Sequence, residues 1–257
     1  MPDTVKKPAM MSSVDRALSL LQHFSLEQPE VGLSALARLA GFDKTTTLRC
    51  LTALERNGFV EQHPETRKYR LGIAPLHLAR IREAAFPVQA LLQPVLERIA
   101  RDTQETAHAS LISHRQLVTV AVAEPNRATR VFVDPSGPLP FHATASGICM
   151  LATLPPEARA DLDLPGQMPP FTDATPTQHS ALELRIEQAR IDGFGRAIGT
   201  FENDVVGTAI AIFGWSGKPI GTLAVAAVAS RYDAALRTKI DTVLRTAGQE
   251  ISQQMGG

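Results

Sequence analysis

The strongest constraint on this chain lies between residues 12 and 72, where helix punctuation recurs too often to allow long elements. Ser12-Ser13-Val14-Asp15 has the form of a capping box, a serine and an acidic side chain satisfying each other's backbone amides. Apolar Val14, Ala17, Leu18, Leu21 and Phe24 follow at helical spacing until Gln28-Pro29-Glu30 breaks it. A second helix is predicted from about Ser34 to Ala40, burying Leu36 and Leu39, with Gly41 as the turn. A third runs from about Lys44 to Asn57, with Leu48, Leu51 and Leu54 as its packed stripe and Gly58 as its stop. FVEQ and KYRLG then read as two short strands around the polar tip HPETR. Helix, helix, turn, helix, hairpin is the order of a winged helix-turn-helix.

In such a unit the third helix packs with one face and reads with the other. Lys44, Thr45 and Thr46 stand at its N-terminal end, where backbone amides favour phosphate and side chains approach base edges. Arg49, one turn on, is placed to pair bidentately with guanine. Arg67, Lys68 and Arg70 lie on the hairpin, within reach of phosphate or the minor groove. Charge alone would not make this case. Lys+Arg and Asp+Glu are 26 each over the chain, and stretch 38–72 holds seven basic residues against four acidic ones. Placement carries the argument for double-stranded DNA as a partner. A solvated basic face is the blander account, and Cys50 in this helix reads as a small buried hydrophobe.

The 257 residues leave room for a second unit. Residues 1–11 read as a loose tail, 12–72 as the DNA-binding domain, 73–86 as a linker helix ended by Pro87, and 87–257 as a second domain. That domain opens with a helix to Arg101, followed by strand-like runs at 106–113, 117–123 and 131–133. A helix starts near Ala145, a proline-rich loop occupies 155–176, and a further helix spans about 178–192. Strands near 205–213 and 219–228 flank a GWSGK turn, and a helix from about 231 to 254 closes the chain. Sheet flanked by helices makes this an α+β domain. No apolar run approaches the ~18 residues of a membrane span, and no signal peptide is read, so the expected location is the cytoplasm with no membrane partner. Two distant cysteines argue against a disulfide framework or a zinc ribbon.

Enzyme chemistry finds little support. Ser146 lacks both glycines of a nucleophile elbow, and Cys149 sits among Ile148, Met150 and Leu151, where burial would silence it. His108 and His114 are six apart on strand-like sequence, unlike a helical metal pair, so no metal or cofactor is expected. Asp161 and Asp163 read as solvated loop residues.

Several motifs in order resemble the IclR family of transcriptional regulators: SVDRALSLLQHF, LSALARLAGFDKTTTLRCLTALERNGFVEQHPETRKYRLG, GPLPFHATASG, and GFG followed by VVGTAIAIFGWSGKPIGTLAVA. The resemblance implies a GAF-like α/β effector-binding domain behind the linker helix. It also implies pairing into homodimers or homotetramers (dimers of dimers), a pseudo-palindromic operator, and control of a catabolic operon by a small organic acid.

This chain departs from the family pattern. Asp43 replaces a frequent proline before the Lys-Thr-Thr run, and Ile148 stands where many members carry lysine. Positions that are polar in members binding small acids are here Ala197, Gly207, Ala224 and Ala226. The expected effector is therefore larger than glyoxylate and partly apolar or aromatic, near Phe141, with its polar end on the backbone amides of Ala145, Ser146 and Gly147. Two readings stay open beside this one: tight packing of the small residues, or a pocket filled by Phe132, Phe141 or Trp215. A sensor whose helix-turn-helix mainly dimerises, without specific DNA recognition, is the alternative function.

Overall fold

A computed structural model describes residues 12–113, 115–160, 162, 164–166 and 168–256. The expectations for residues 1–11, His114, Asp161 and Asp163 fall outside these. The chain divides into two compact units that meet at Phe86 and Pro87.

The first unit comprises α1 (Ser13–Leu21), α2 (Leu33–Ala40), α3 (Lys44–Arg56), β1 (Val60–Gln62), β2 (Tyr69–Leu71) and α4 (Ala74–Ala85). Its core joins Leu20, Phe24, Val31, Leu36, Cys50, Leu51, Leu54, Val60 and Tyr69. Ser12 caps α1 with the reciprocal Asp15 bond of a capping box. The helix stops at Leu21, well before Pro29, because the amides of Gln22, His23 and Phe24 turn back to carbonyls three residues earlier. β1 and β2 pair antiparallel, and Val31 exchanges two 2.8 Å backbone bonds with Tyr69, adding a third short edge to the wing.

The buried stripes differ from those expected. Leu20 anchors α1 while Val14 and Leu18 are exposed, and α2 buries Leu36 and Ala37 but leaves Leu39 half exposed. On α3 the buried residues are Thr47, Cys50, Leu51 and Leu54, and Leu48 is 44% exposed. Successive steps of three residues each fall about 60° short of a full turn, so a stripe of 48, 51 and 54 drifts off the packed face. The stripe 47, 50/51, 54 does not drift. Thr47 tolerates that interior position because its hydroxyl donates to the Asp43 carbonyl at 2.9 Å.

The second unit runs α5 (Val88–Thr103), β3 (Thr106–Ser113), β4 (Gln116–Ala123), β5 (Pro138–Leu139), α6 (Ala145–Thr153), α7 (Pro156–Ala160), α8 (His179–Asp192), β6 (Gly195–Ile198), β7 (Val205–Phe213), β8 (Pro219–Val228) and α9 (Ala234–Gln254). Its six strands are ordered β5-β4-β3-β8-β7-β6, all paired antiparallel. Alternation divides the sheet residues between two faces. Leu223, Val225 and Ala227 join Leu92, Leu96 and Ile99 of α5 and Ile240, Leu244 and Ile251 of α9. The opposite face is unusually small: Ala209, Ala211, Ala224 and Ala197 pack against Ala145 and Cys149 of α6. Beyond α6 a further core joins Ile148, Met150 and Leu151 to Leu182 and Ile186 of α8.

Residues 131–133, read from sequence as a strand, form none. The loop instead folds through Asp134, whose carboxylate accepts from the Ser136 amide and hydroxyl, and pairing resumes at β5. β6 was not foreseen, because four residues beginning at a glycine carry too little periodicity.

Candidate functional site

In the first unit, Asp43 organises the start of α3. Its carboxylate accepts from the Thr46 amide at 2.8 Å and the Thr46 hydroxyl at 2.6 Å. Those bonds, the hydroxyl's first, hold its pKa below the ordinary value. Asp43 is thus the N-cap of α3, at the position where proline is frequent in the family. The same bond commits the Thr46 hydroxyl to the Asp43 carboxylate, while Lys44, Thr45 and Arg49 are exposed together with Leu48 and Thr52. Thr46 and Arg49 also border a groove of about 450 Å³ against Ser13, Val14, Arg16 and Leu18.

On the wing, Arg67 turns the hairpin with a left-handed φ of 56°. The His63 ring nitrogen Nδ1 accepts from the amides of Glu65 and Thr66 at 3.2 Å each, fixing the tip. Arg67 and Lys68 are exposed there. Arg70 differs, because its guanidinium donates to Glu61 at 2.6 Å and lies 3.7 Å from Glu30. Two carboxylates already compete with any phosphate for that charge.

In the second unit, the small-residue face opens into a cavity of about 250 Å³ at the N-terminal end of α6. Ala145, Ser146, Ala197, Gly207, Ala224 and Ala226 line it, six of the eight positions expected from sequence. Gly207 lines it because a side chain will not fit: a Cβ there would lie 2.9 Å from the Ala145 Cβ. Phe141 is the exception among the side chains, being buried with Leu117, Ile148 and Leu151 in the neighbouring core. Gly147 is the exception among the amides. Its N–H donates to the Thr144 hydroxyl at 3.1 Å, so the helix cap has consumed it, while the Ala145 and Ser146 amides precede the first intrahelical bonds. None of the proposed aromatic plugs fills the space. Phe132 is an exposed wall, Phe141 lies in the core, and Trp215 is 89% exposed.

Sequence reasoning missed several lining residues. His108 faces the cavity from β3, directly across from Ala224 of β8. It is 8% exposed, its Nδ1 has no partner, and burial pushes its pKa down to about 4, so it is a neutral ring near pH 7. The Ser146 hydroxyl, 1% exposed, is likewise buried without a partner. Thr200, Phe201 and Glu202 reach in from the β6–β7 loop. That loop is pinned by the Thr200 hydroxyl on the Ala143 carbonyl at 2.6 Å and by edge-on contact of Phe201 with Phe171 at 4.9 Å. Val131, Phe132, Val133 and Asp134 come from the loop before β5. A polar residue inside the small, apolar run TAHASLIS was the one signal available for His108.

Cys50 and Cys149 are both free and buried, and burial pushes the Cys149 thiol up to about 11. Among the described residues no cluster of His, Cys, Asp or Glu could hold a metal, and no helix is long and apolar enough to cross a membrane.

Comparison with known proteins places both units. The IclR helix-turn-helix domain matches residues 13–64, and the bacterial transcriptional regulator IclR C-terminal domain matches residues 84–253. The chain is 28% identical over 248 residues to the HTH-type transcriptional regulator XynR of Escherichia coli, covering 96% of this chain and 98% of XynR. It is 23% identical to the transcriptional repressor IclR of the same organism, covering 99% and 93%. Among solved structures, an IclR transcriptional regulator from a Silicibacter species superposes with a TM-score of 0.89 at 38% identity, covering 96% of this chain and 97% of that one. An IclR homologue from Microbacterium hydrocarbonoxydans, crystallised with 4-hydroxybenzoate, shares the fold with a TM-score of 0.75 at 23% identity, covering 95% and 99%. With a helix-turn-helix in front and an effector-type α/β domain behind, both matched along most of their length, this chain belongs to the IclR family of DNA-binding transcriptional regulators.

Proposed function

We propose that this regulator controls a catabolic operon by binding a pseudo-palindromic operator as a dimer or dimer of dimers and responding to a small, partly apolar organic acid. The observation that carries the DNA half is the exposed face of α3, where Lys44, Thr45 and Arg49 stand outside a fully formed core. Lys44, Thr45 and Thr46 approach the major groove with the helix N-terminus, and Arg49 reads a guanine. Arg67 and Lys68 steady the wing on the backbone, with Arg70 a weaker partner because Glu61 and Glu30 hold it. Residues 73–86 act as the lever between ligand and operator. In α4, Ala74, Leu78, Ile81 and Ala85 repeat at i, i+4, i+7 and i+11, and Leu78 and Ile81 are exposed, which suits a helix that pairs with its copy.

The cavity supports the effector half. Its walls are mainly apolar and its deep end offers the unused amides of Ala145 and Ser146, a setting for one carboxylate on an apolar body. The Microbacterium relative's 4-hydroxybenzoate is a ligand of that kind. Glyoxylate would leave most of the walls unfilled.

Fluorescence anisotropy on the chain's own upstream intergenic DNA, across a salt series and against a scrambled duplex, tests the reading. Specific, salt-sensitive binding released by aromatic or aliphatic monocarboxylates is the expected result. Equal affinity for both duplexes, with and without acids, would leave a ligand sensor in which the helix-turn-helix only dimerises. Inserting one helical turn within residues 73–86 tests the lever separately, because unchanged induction would remove it.

A further inference from the structure

The cavity is ordered by depth. At its floor lie Ser146, His108, Ala145, Ala224 and Ala226, all buried. At its mouth lie the exposed side chains Phe132, Asp134, Phe201 and Glu202. Floor and mouth carry opposite polarity. The floor presents the positive end of the α6 dipole, two unused amides and the unpartnered Ser146 hydroxyl. The mouth presents carboxylates, and among the described residues no lysine or arginine lines the cavity.

The two mouth carboxylates are not equivalent. Asp134 is occupied at both oxygens, accepting from the Ser136 amide at 2.8 Å and the Ser136 hydroxyl at 2.9 Å. Among the described residues the Glu202 carboxylate has no hydrogen-bond or ion-pair partner, although its backbone carbonyl accepts from the Val205 amide at 3.3 Å, and partial burial raises its pKa above the ordinary value. A carboxylate without a partner at a pocket rim gains from a ligand that brings a donor to it. A ligand bringing a second negative charge would meet repulsion from both acids at once.

We propose that the effector is a monocarboxylic acid bearing a hydroxyl or amino donor on its far end, with Glu202 as the residue that reads this donor. The acid head meets Ser146 and the Ala145 and Ser146 amides, the body fills the apolar walls, and the donor emerges at Glu202. This rests on the effector reading above and narrows it: unsubstituted acids and dicarboxylic acids of equal length become poor ligands.

Calorimetry on the full chain tests this with two matched triads: benzoate, 4-hydroxybenzoate and terephthalate, and hexanoate, 6-hydroxyhexanoate and adipate. On at least one scaffold the hydroxy acid should bind about tenfold or more tighter than its unsubstituted parent, with the dicarboxylate weakest. Glu202→Met should collapse the hydroxy-to-parent ratio toward one. Ser146→Ala should weaken hydroxy acid and parent together and leave that ratio standing, and thermal melts of both variants report their folding. A hydroxy-to-parent ratio near one in the unaltered chain, or one that survives Glu202→Met, overturns the assignment of Glu202 but leaves an acid effector in place. Absence of binding by all six acids overturns the effector reading as well.

Discussion

In the proposed function the two units of this chain recognise their partners by opposite means. In the first, the residues proposed to read DNA project: Lys44, Thr45 and Arg49 stand outside a core of ordinary size. In the second, the proposed effector site rests on side chains that are missing. Ala197, Gly207, Ala224 and Ala226 create a cavity because nothing larger occupies their places, and the polar groups at its floor are backbone amides and two unpartnered side chains. A projecting site tolerates substitution structurally and loses affinity residue by residue. A site made of absent volume is tied to the packing around it, so the same substitution changes stability and binding together.

The largest expected effect sharpens the first half of that contrast. Leu51 is fully buried in the helix-turn-helix core, and Leu51→Ala should cost about 2–5 kcal/mol in chemical denaturation. Leu48→Ala, three residues earlier on the same helix, should change stability by less than about 0.5 kcal/mol, because its side chain already meets solvent. Its effect belongs in operator affinity, where an apolar side chain on the reading face can meet a thymine methyl. Equal destabilisation by the two changes would restore the stripe inferred from sequence.

His108 tests the second unit. Its folded pKa near 4 lies below the ordinary 6.5, so the unfolded chain binds more protons in that window. Stability from this group is complete above about pH 6.5 and is lost as pH falls toward 4, amounting to about 3 kcal/mol. Denaturation midpoints of the unaltered chain and His108→Asn, compared at pH 7 and pH 4.5, isolate it: the variant should lose less on acidification. Parallel slopes would mean that the ring is hydrated rather than desolvated in its cavity.

The same contrast explains how far the sequence could be read. Caps and stops in the first unit are local, so Ser12, Asp43 and Gly58 were legible within a few residues of what they do. Facing errors at Leu48, Leu39 and Leu18 arose because steps of three or four residues fit more than one helix face, and only packing selects among them. In the second unit the family resemblance located six lining positions, yet Gly147 and Phe141 face elsewhere. The lining roles of His108, Thr200 and Glu202 are not legible in the sequence because these residues meet through a β3–β8 pairing more than a hundred residues apart in sequence and through a loop without periodicity.

Smaller effects separate reading from steering. Arg49→Ala should cost about 1–3 kcal/mol of preference for operator over scrambled duplex, read by competition anisotropy at fixed salt. Uniform weakening on both duplexes would demote Arg49 to a phosphate contact.

The wing supplies the finest test. Lys68 is exposed and, among the described residues, without an ion pair, whereas Arg70 is shared between Glu61 and Glu30. Lys68→Ala should therefore lower the slope of log affinity against log salt by about 1, with similar losses on any duplex. Arg70→Ala should move the slope by less, because the two carboxylates released from it offset part of the charge that binding can neutralise. A larger slope change at Arg70 than at Lys68 would mean that the wing exchanges its internal ion pairs for phosphates on binding, making the second β-strand, rather than the hairpin tip, the part of the wing that touches DNA.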